Sequence, residues 1–322
     1  MDNKNVAIIR KYVKKYGLQK MTGILATKVF NIYSSQYKAR SYTSLCCLSL
    51  ISKLLEHNEF TLSDIKHAKY CRDKLIEHEK SIFARLNYDM LSIFNKKSHM
   101  VKPTIVARIN DVGDIYKKGG HSLIYEKKDI IYKTTIKNDR ELTKYEIIEI
   151  NIIKYCNNPY IISTKGILIH NDKFYISMPR IKYNLEEYLV NNKIDKLSII
   201  KQLRRGIMYL HSMNIVHCDI KPLNILIEEG KIKICDFSMS IYQADITNII
   251  CLHRPTEGYI APEFYKSINV TYKIDYWACG CTIFYIEKRE IYRGILDINN
   301  ITILNIINKL LKTNPAKREF CI

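Results

Sequence analysis

The 322-residue chain has one Trp, 11 Gly and 7 Pro, and the chain breakers are unevenly placed. Before residue 113 the only glycines are Gly17 and Gly23, and no proline occurs before Pro103. Long apolar runs are also missing. The nearest, LCCLSLIS and WACGCTIFYI, are core-sized and fall well short of the roughly 18 residues that a membrane-spanning helix needs. The opening MDNKNVAIIRKYVKKYG has no apolar segment followed by a small-residue cleavage site. An intracellular protein, neither secreted nor held in a membrane, is expected. The ten cysteines include no CxxC pair and no Cys/His zinc spacing, so they read as reduced, small hydrophobes. Acidic residues are in deficit, 32 against 51 Lys and Arg, for a formal charge of +19. The lysines are spread along the chain rather than clustered with aromatics. Lys, Asn, Ile and Tyr are enriched together, as in AT-rich genomes, so composition explains the charge better than a nucleic-acid face does.

Against these absences, 47% hydrophobic residues are enough to build real cores. In the first third they recur at helical spacing: Ala7-Ile8-Ile9, Tyr12-Val13, Ile24-Leu25, Val29-Phe30 and Tyr33. Further helical runs cover Leu45 to Leu55 and Leu75 to Leu86, and Thr61-Leu62-Ser63-Asp64 gives an N-cap signal before Ile65. Roughly five short helices follow from this pattern. From about residue 105 the texture changes. SLIYE and IIYKTTI read as strands around a tight polar turn, a helix is expected over Arg140 to Tyr155, and GILIH and KFYISM read as further strands. Helices return after Leu185. The expected organisation is a helical domain over 5–93, a linker over 94–108 and an α+β domain over 109–322.

The second half carries the chemistry. IVHCDIKPLNILI occupies 215–227, KIKICDFSMS 231–240, APE 261–263 and DYWACG 275–280. In this order and spacing the motifs resemble the eukaryotic Ser/Thr protein kinase family. The resemblance implies a bilobal α+β fold with lobes at 109–178 and 182–322, and an enzyme that uses ATP and Mg²⁺ on protein substrates. It implies Asp219 as the acceptor of the substrate hydroxyl's proton, Lys221 as support for the moving phosphate, and Asn224 and Asp236 as Mg²⁺ ligands. Lys133 matches the lysine on the nucleotide's phosphates. Glu149 matches its carboxylate partner, with Glu146 one turn earlier as the alternative. The nucleotide site would take in Lys117, Gly119, Gly120, Ser122, Ile124, Met178 and Ile181 besides Lys133, Glu149 and Asp236. Arg318 and Glu263 match a structural ion pair.

Several positions depart from the family pattern. Lys117 and Ser122 stand where the first and third glycines of the phosphate loop belong, and only Gly119 keeps the middle one. Ile131 replaces a small residue of the adenine pocket, and Ser238 replaces the glycine after Asp236-Phe237. Only 42 residues follow Gly280, which implies shortened late helices. These departures keep open a second reading, a pseudokinase that binds partners without catalysis.

Within the family, DYWACGCTIFYIEKREIYRG is similar to the cyclin-dependent group, as is the interval of 25 residues from Asp236 to Ala261. The group's phosphorylatable Thr would fall at Cys251, and the Arg that grips its phosphate at Cys218. Both are absent together, which implies activity without activation-loop phosphorylation. The segments KKYGLQKMTGILATKVFNIYSSQ, CLSLISKLLE and LIEHEKSIFARLNYDML in turn resemble a single cyclin box, with Lys53 and Glu79 matching the pair that holds backbone near the glutamate-bearing kinase helix. This resemblance implies an activator fused to its kinase, docking either in cis or between two chains.

Overall fold

The computed structural model describes residues 3–15, 23, 26–27, 29–30, 43, 46–48, 107–108, 111–119, 122–136, 144–170, 173–242, 249–250, 255–266 and 269–322. The architecture is α+β and divides into two compact units. One comprises Met1–Tyr155 with Ser163–Arg180, the other Cys156–Ile162 with Ile181–Ile322.

The first unit opens with helix α1 (Asn3–Lys15). Its periodic apolar positions bury Ile9 and Tyr12 and leave Arg10, Lys11 and Lys14 in solvent, as an amphipathic helix should. Residues 23, 26–27, 29–30, 43 and 46–48 are also helical, and Ala26, Val29, Phe30, Cys46, Cys47 and Leu48 are buried. The helical texture read from sequence therefore holds at these positions. Lys53, Glu79 and the helices expected near Ile65 and Leu75 to Leu86 lie outside the described residues.

The described residues of the unit also form a six-stranded sheet ordered β1-β5-β6-β4-β3-β2. Its strands are β1 (Ala107–Arg108), β2 (Asp114–Lys118), β3 (Ser122–Lys127), β4 (Ile130–Thr135), β5 (Gly166–His170) and β6 (Lys173–Pro179). The β3–β4 hairpin turns at Lys128, whose φ of 55° suits a two-residue connection. Ala107 and Arg108 fall within the stretch expected to be linker, yet they pair in parallel with Leu168 and Ile169. Two residues carry no readable alternation, so sequence pattern alone could not mark this strand.

Successive side chains on a strand alternate between the sheet's faces. Val112, Tyr132 and Tyr175 bury one face, with Tyr125, Ile130 and Leu168 packed against them. Antiparallel register then aligns Ile124, Lys133 and Ile176 across β3, β4 and β6 on the opposite face, and Ile131 with Met178 beside them. On that side lies helix α2 (Lys144–Tyr155), placed there by the bond from Lys133 to Glu149. All seven residues from Ile147 to Ile153 are at most 4% exposed. At 100° per residue these seven point in every direction around the axis, so the helix is enclosed on all sides.

The second unit is mainly helical. Cys156–Ile162 belongs to it because Ile162 N donates to Ile234 O at 2.9 Å and Ile234 N to Tyr160 O at 2.8 Å. β7 (Tyr183–Asn184) runs into α3 (Leu185–Asn191), where Asn184 and Glu187 form a reciprocal capping box. α4 (Lys196–Ser212) packs so closely that a Cβ on Gly206 would meet Ile234 Cδ1 at 2.7 Å and Tyr160 Cβ at 3.3 Å. The β8 pair (Ile215–Val216) leads into the hairpin of β9 (Ile225–Glu228) and β10 (Lys231–Ile234), closed by Glu229 and Gly230 at positive φ. β11 (Ile241–Tyr242) pairs with β8, and β12 (Ile249–Ile250) with β13 (Asn269–Val270). α5 (Ile274–Lys288) follows. Among the described residues α6 (Ile301–Leu310) and the turn Pro315–Lys317 come after it. No helix among the described residues is long and apolar enough to cross a membrane.

Candidate active site

In the first unit the site centres on Lys133. Its Nζ donates to Glu149 Oε1 at 2.7 Å, and the two side chains are only 8% and 6% exposed. An amine and a carboxylate buried together at this distance hold each other in one geometry. Glu146, the alternative partner, instead accepts from Thr135 Oγ1 at 3.0 Å. Ile124 is the cross-strand neighbour of Lys133 and of Lys117, so these three positions share one sheet face. Gly119 N donates to Ser122 O at 2.8 Å and closes the β2–β3 turn. Gly120 lies outside the described residues.

In the second unit the chemistry gathers at Asp219. Its Oδ2 accepts from Lys221 Nζ at 2.7 Å and from Asn224 Nδ2 at 2.9 Å, while Oδ1 accepts from Thr256 Oγ1 at 2.7 Å. Lys221 Nζ also donates to Thr256 Oγ1, at 2.6 Å. The Thr256 hydroxyl therefore bridges the carboxylate and the ammonium. Sequence reading missed Thr256, although its place five residues before Ala261 in PTEGYIAPE could have marked it. Thr256→Ala should lower kcat about tenfold through loss of a hydrogen bond to charged groups, with Thr256→Ser near normal, as steady-state kinetics would measure. Gly258 follows at φ 88°, where a Cβ would meet Ile291 Cγ2 at 2.6 Å. Burial holds the Tyr259 hydroxyl well above the ordinary tyrosine range, and the nearby Cys281, Glu186, Tyr285 and Asp219 push it the same way.

The loop bearing Asp219 is held from beneath by Asp275 at the start of α5. This fully buried carboxylate accepts from His217 N and Cys218 N, both at 2.9 Å, and pairs with His211 Nε2 at 2.8 Å. The Asp219 amide donates to His217 Nδ1, so the ring proton sits on Nε2, which donates to Cys235 O at 3.1 Å. Cys218 adopts φ 67°, a left-handed conformation that costs a non-glycine residue about 1–2 kcal/mol and that the two Asp275 contacts maintain. Its side chain is 5% exposed in a cluster with Val216, Ala261, Val270 and Ile274. The position that in the resembled family carries a phosphate-gripping Arg is here a piece of apolar core. Cys218→Arg should therefore cost about 1–3 kcal/mol, read by denaturant unfolding, since it would place a long charged side chain where a small one packs among apolar residues.

Asp236 follows β10 at φ 64°. Cys235 N donates to Asn224 O at 3.0 Å, which ties the backbone just before Asp236 to that of Asn224. Asn224 directs its amide nitrogen at Asp219, to the backbone O at 2.8 Å and to Oδ2, so its carbonyl oxygen is turned away from Asp219. A carboxylate and a carboxamide oxygen are hard donors of the kind Mg²⁺ accepts, and this donor set fits that ion. Further along the chain, Arg318 is fully buried and grips Glu263 with both nitrogens, at 2.5 and 2.6 Å, as the sequence implied.

A buried Lys–Glu pair on one unit and a Lys- and Asn-supported carboxylate on the other are of the kind that phosphoryl transfer requires. Residues 119–319 match the model of the protein kinase domain, and the chain belongs to that family. Over 228 residues it is 28% identical to the serine/threonine-protein kinase cds1 of Schizosaccharomyces pombe, covering 61% of this chain and 49% of that protein. It is 30% identical over 205 residues to the Encephalitozoon cuniculi protein named "Probable cell division protein kinase", covering 60% and 77%. It is 29% identical over 225 residues to myosin light chain kinase A of Dictyostelium discoideum, covering 61% and 75%. The chain thus spans about half of cds1 and about three quarters of the other two.

Proposed function

We propose that the protein is a serine/threonine kinase that transfers the γ-phosphate of ATP to protein hydroxyls. The observation that carries this reading is the Asp219 carboxylate, with Lys221, Asn224 and Thr256 all within 2.9 Å. Asp219 would take the proton of the substrate hydroxyl as its oxygen bonds to the γ-phosphorus and the bond to the ADP oxygen breaks. Lys221 would offset the charge spreading over the transferring group. Lys133, oriented by Glu149, would hold the nucleotide's phosphates, against a sheet face that Ile124, Ile131 and Met178 line. Asn224 and Asp236 would hold Mg²⁺, which supplies charge neutralisation at the phosphates when bound. The remaining nucleotide contacts are assigned to Lys117, Gly119, Gly120, Ser122 and Ile181. Incubation with γ-labelled ATP, Mg²⁺ and a generic protein substrate should place label on Ser and Thr. Label confined to Tyr, or none, would count against the reading.

The helical first third is assigned an activating role in cis, as a cyclin-like module docked on α2. The enclosure of α2 on every side supports this, because the sheet can cover only one of its faces. Tethering such a module raises its effective concentration to the millimolar range when the linker spans the sites. Substituting Lys53 and Glu79 together should lower phosphotransfer several-fold, and unchanged activity would argue against docking. The apolar seat of Cys218 supports activity without activation-loop phosphorylation; Cys251 lies outside the described residues. The rival reading, a kinase fold used as a binding scaffold, draws its support from the closed Gly119–Ser122 turn.

A further inference from the structure

Two large apolar side chains stand exposed beside the Asp219 constellation, and the chemistry assigned there uses neither. Leu223 is 44% exposed although it sits in the turn Pro222–Asn224, between Lys221 and Asn224, which both bond to Asp219. Ile291 is 46% exposed and lies on Gly258, where a Cβ would meet its Cγ2 at 2.6 Å. Gly258 comes two residues after Thr256, whose hydroxyl bonds to both Asp219 and Lys221. Consecutive Cα atoms are about 3.8 Å apart, so the backbone that carries Leu223, or that Ile291 touches, is within roughly 8 Å of a residue bonded to Asp219.

A single exposed Leu or Ile is ordinary on a protein surface. These two differ because the chain holds each in place next to the reacting group. Asn224 N donates to Lys221 O and Cys235 N to Asn224 O, both at 3.0 Å, which fixes the turn under Leu223. Ile291 is followed by Tyr292, whose ring meets those of Trp277 and Phe284 edge-on at 6.2 and 5.4 Å, and Ile298 buries the far end of the same loop. Side chains that are already ordered lose less freedom when a ligand covers them. The reaction itself names the occupant. A substrate hydroxyl delivered to Asp219 brings the residues on either side of it against this surface, since an extended peptide advances only about 3.4 Å per residue. The exposed charges nearby in sequence, Glu257, Arg289, Glu290 and Arg293, are of mixed sign, so neither sign is favoured and apolar contact is what the surface offers.

We propose that Leu223 and Ile291 are specificity-determining residues that select protein substrates with apolar side chains within two residues of the phosphoacceptor Ser or Thr. The inference rests on the kinase reading of this site and names its substrate class.

The test measures kcat/KM on the full chain for soluble peptides with one Ser, in which each of the four positions within two residues of that Ser carries Leu, Asn or Lys in turn. Wild type should prefer Leu over Asn by roughly 10-fold at two of the four positions, the scale on which an apolar pocket discriminates. Leu223→Glu should replace the preference for Leu by one for Lys at one of those positions, and Ile291→Glu should do so at the other. A gain for Lys cannot come from misfolding. Transfer to a generic protein without a preference for Leu at any position overturns the inference alone, as does a preference for Leu that both variants retain. No transfer by wild type to protein or peptide overturns the kinase reading and this inference with it.

Discussion

Lys133→Met is expected to abolish most phosphotransfer, by about 10²–10³-fold, and to destabilise the fold at the same time. The two losses have different causes. The ammonium and Glu149 are 2.7 Å apart and nearly inaccessible, so truncating one partner leaves a buried carboxylate without its main cation. Breaking such a pair costs about 3–5 kcal/mol, whereas replacing both partners by apolar groups is often close to neutral. The double substitution Lys133→Met with Glu149→Leu should therefore recover much of the lost stability and none of the lost activity. Chemical denaturation and steady-state kinetics on the single and double variants separate the two. If activity returned with stability, Lys133 would be a structural residue, and its assignment to the nucleotide's phosphates would be wrong.

Arg318→Ala should destabilise the second unit by about 3–5 kcal/mol, the other large effect expected of a single substitution. The guanidinium is fully buried and forks onto both oxygens of Glu263. Its Nε donates to Lys312 O at 2.7 Å, and its plane lies 5.0 Å from the Trp277 ring centroid. One side chain thus ties the turn after Ala261, helix α5 and the C-terminal segment together. Lys at 318 can supply the charge but neither the fork nor the stacking plane. Arg318→Lys should therefore recover only a minor part of the loss. Denaturant unfolding checks both variants, and a cost under about 1 kcal/mol for Arg318→Ala would mean that packing holds these elements without the pair.

Much of the site was legible because phosphoryl transfer demands particular residue types at short spacings. Asp219, Lys221 and Asn224 lie within six residues of one another, and the structure puts all three in direct hydrogen-bond contact. Lys133 and Glu149 were readable for a different reason, through the family resemblance, which puts a lysine in the IIYK strand and its carboxylate partner on the next helix; the resemblance left Glu146 open, and the structure pairs Lys133 with Glu149. Thr256 was not, because its role depends on a long loop folding back onto Asp219, which no local pattern encodes. The strand Ala107–Arg108 escaped through brevity. Cys218 looked ambiguous as a sequence feature, and only its burial among Val216, Ala261, Val270 and Ile274 makes it a core residue. Ser238 read as a restriction on the backbone; the bond from its hydroxyl to Asp236 required coordinates.

The account's central claim is that the Asp219 constellation performs chemistry, as opposed to maintaining a scaffold. The most direct measurement compares wild type with Asp219→Asn for transfer of the ATP γ-phosphate to a generic Ser/Thr protein, with nucleotide binding determined on the same samples. Asn keeps the shape of the side chain and cannot accept a proton, so both proteins should bind nucleotide alike. Wild type should transfer phosphate, and Asp219→Asn should fall about 10²–10⁴-fold lower. Two proteins that both bind ATP, with wild type transferring no more than Asp219→Asn, would contradict the account and leave a nucleotide-binding scaffold in its place.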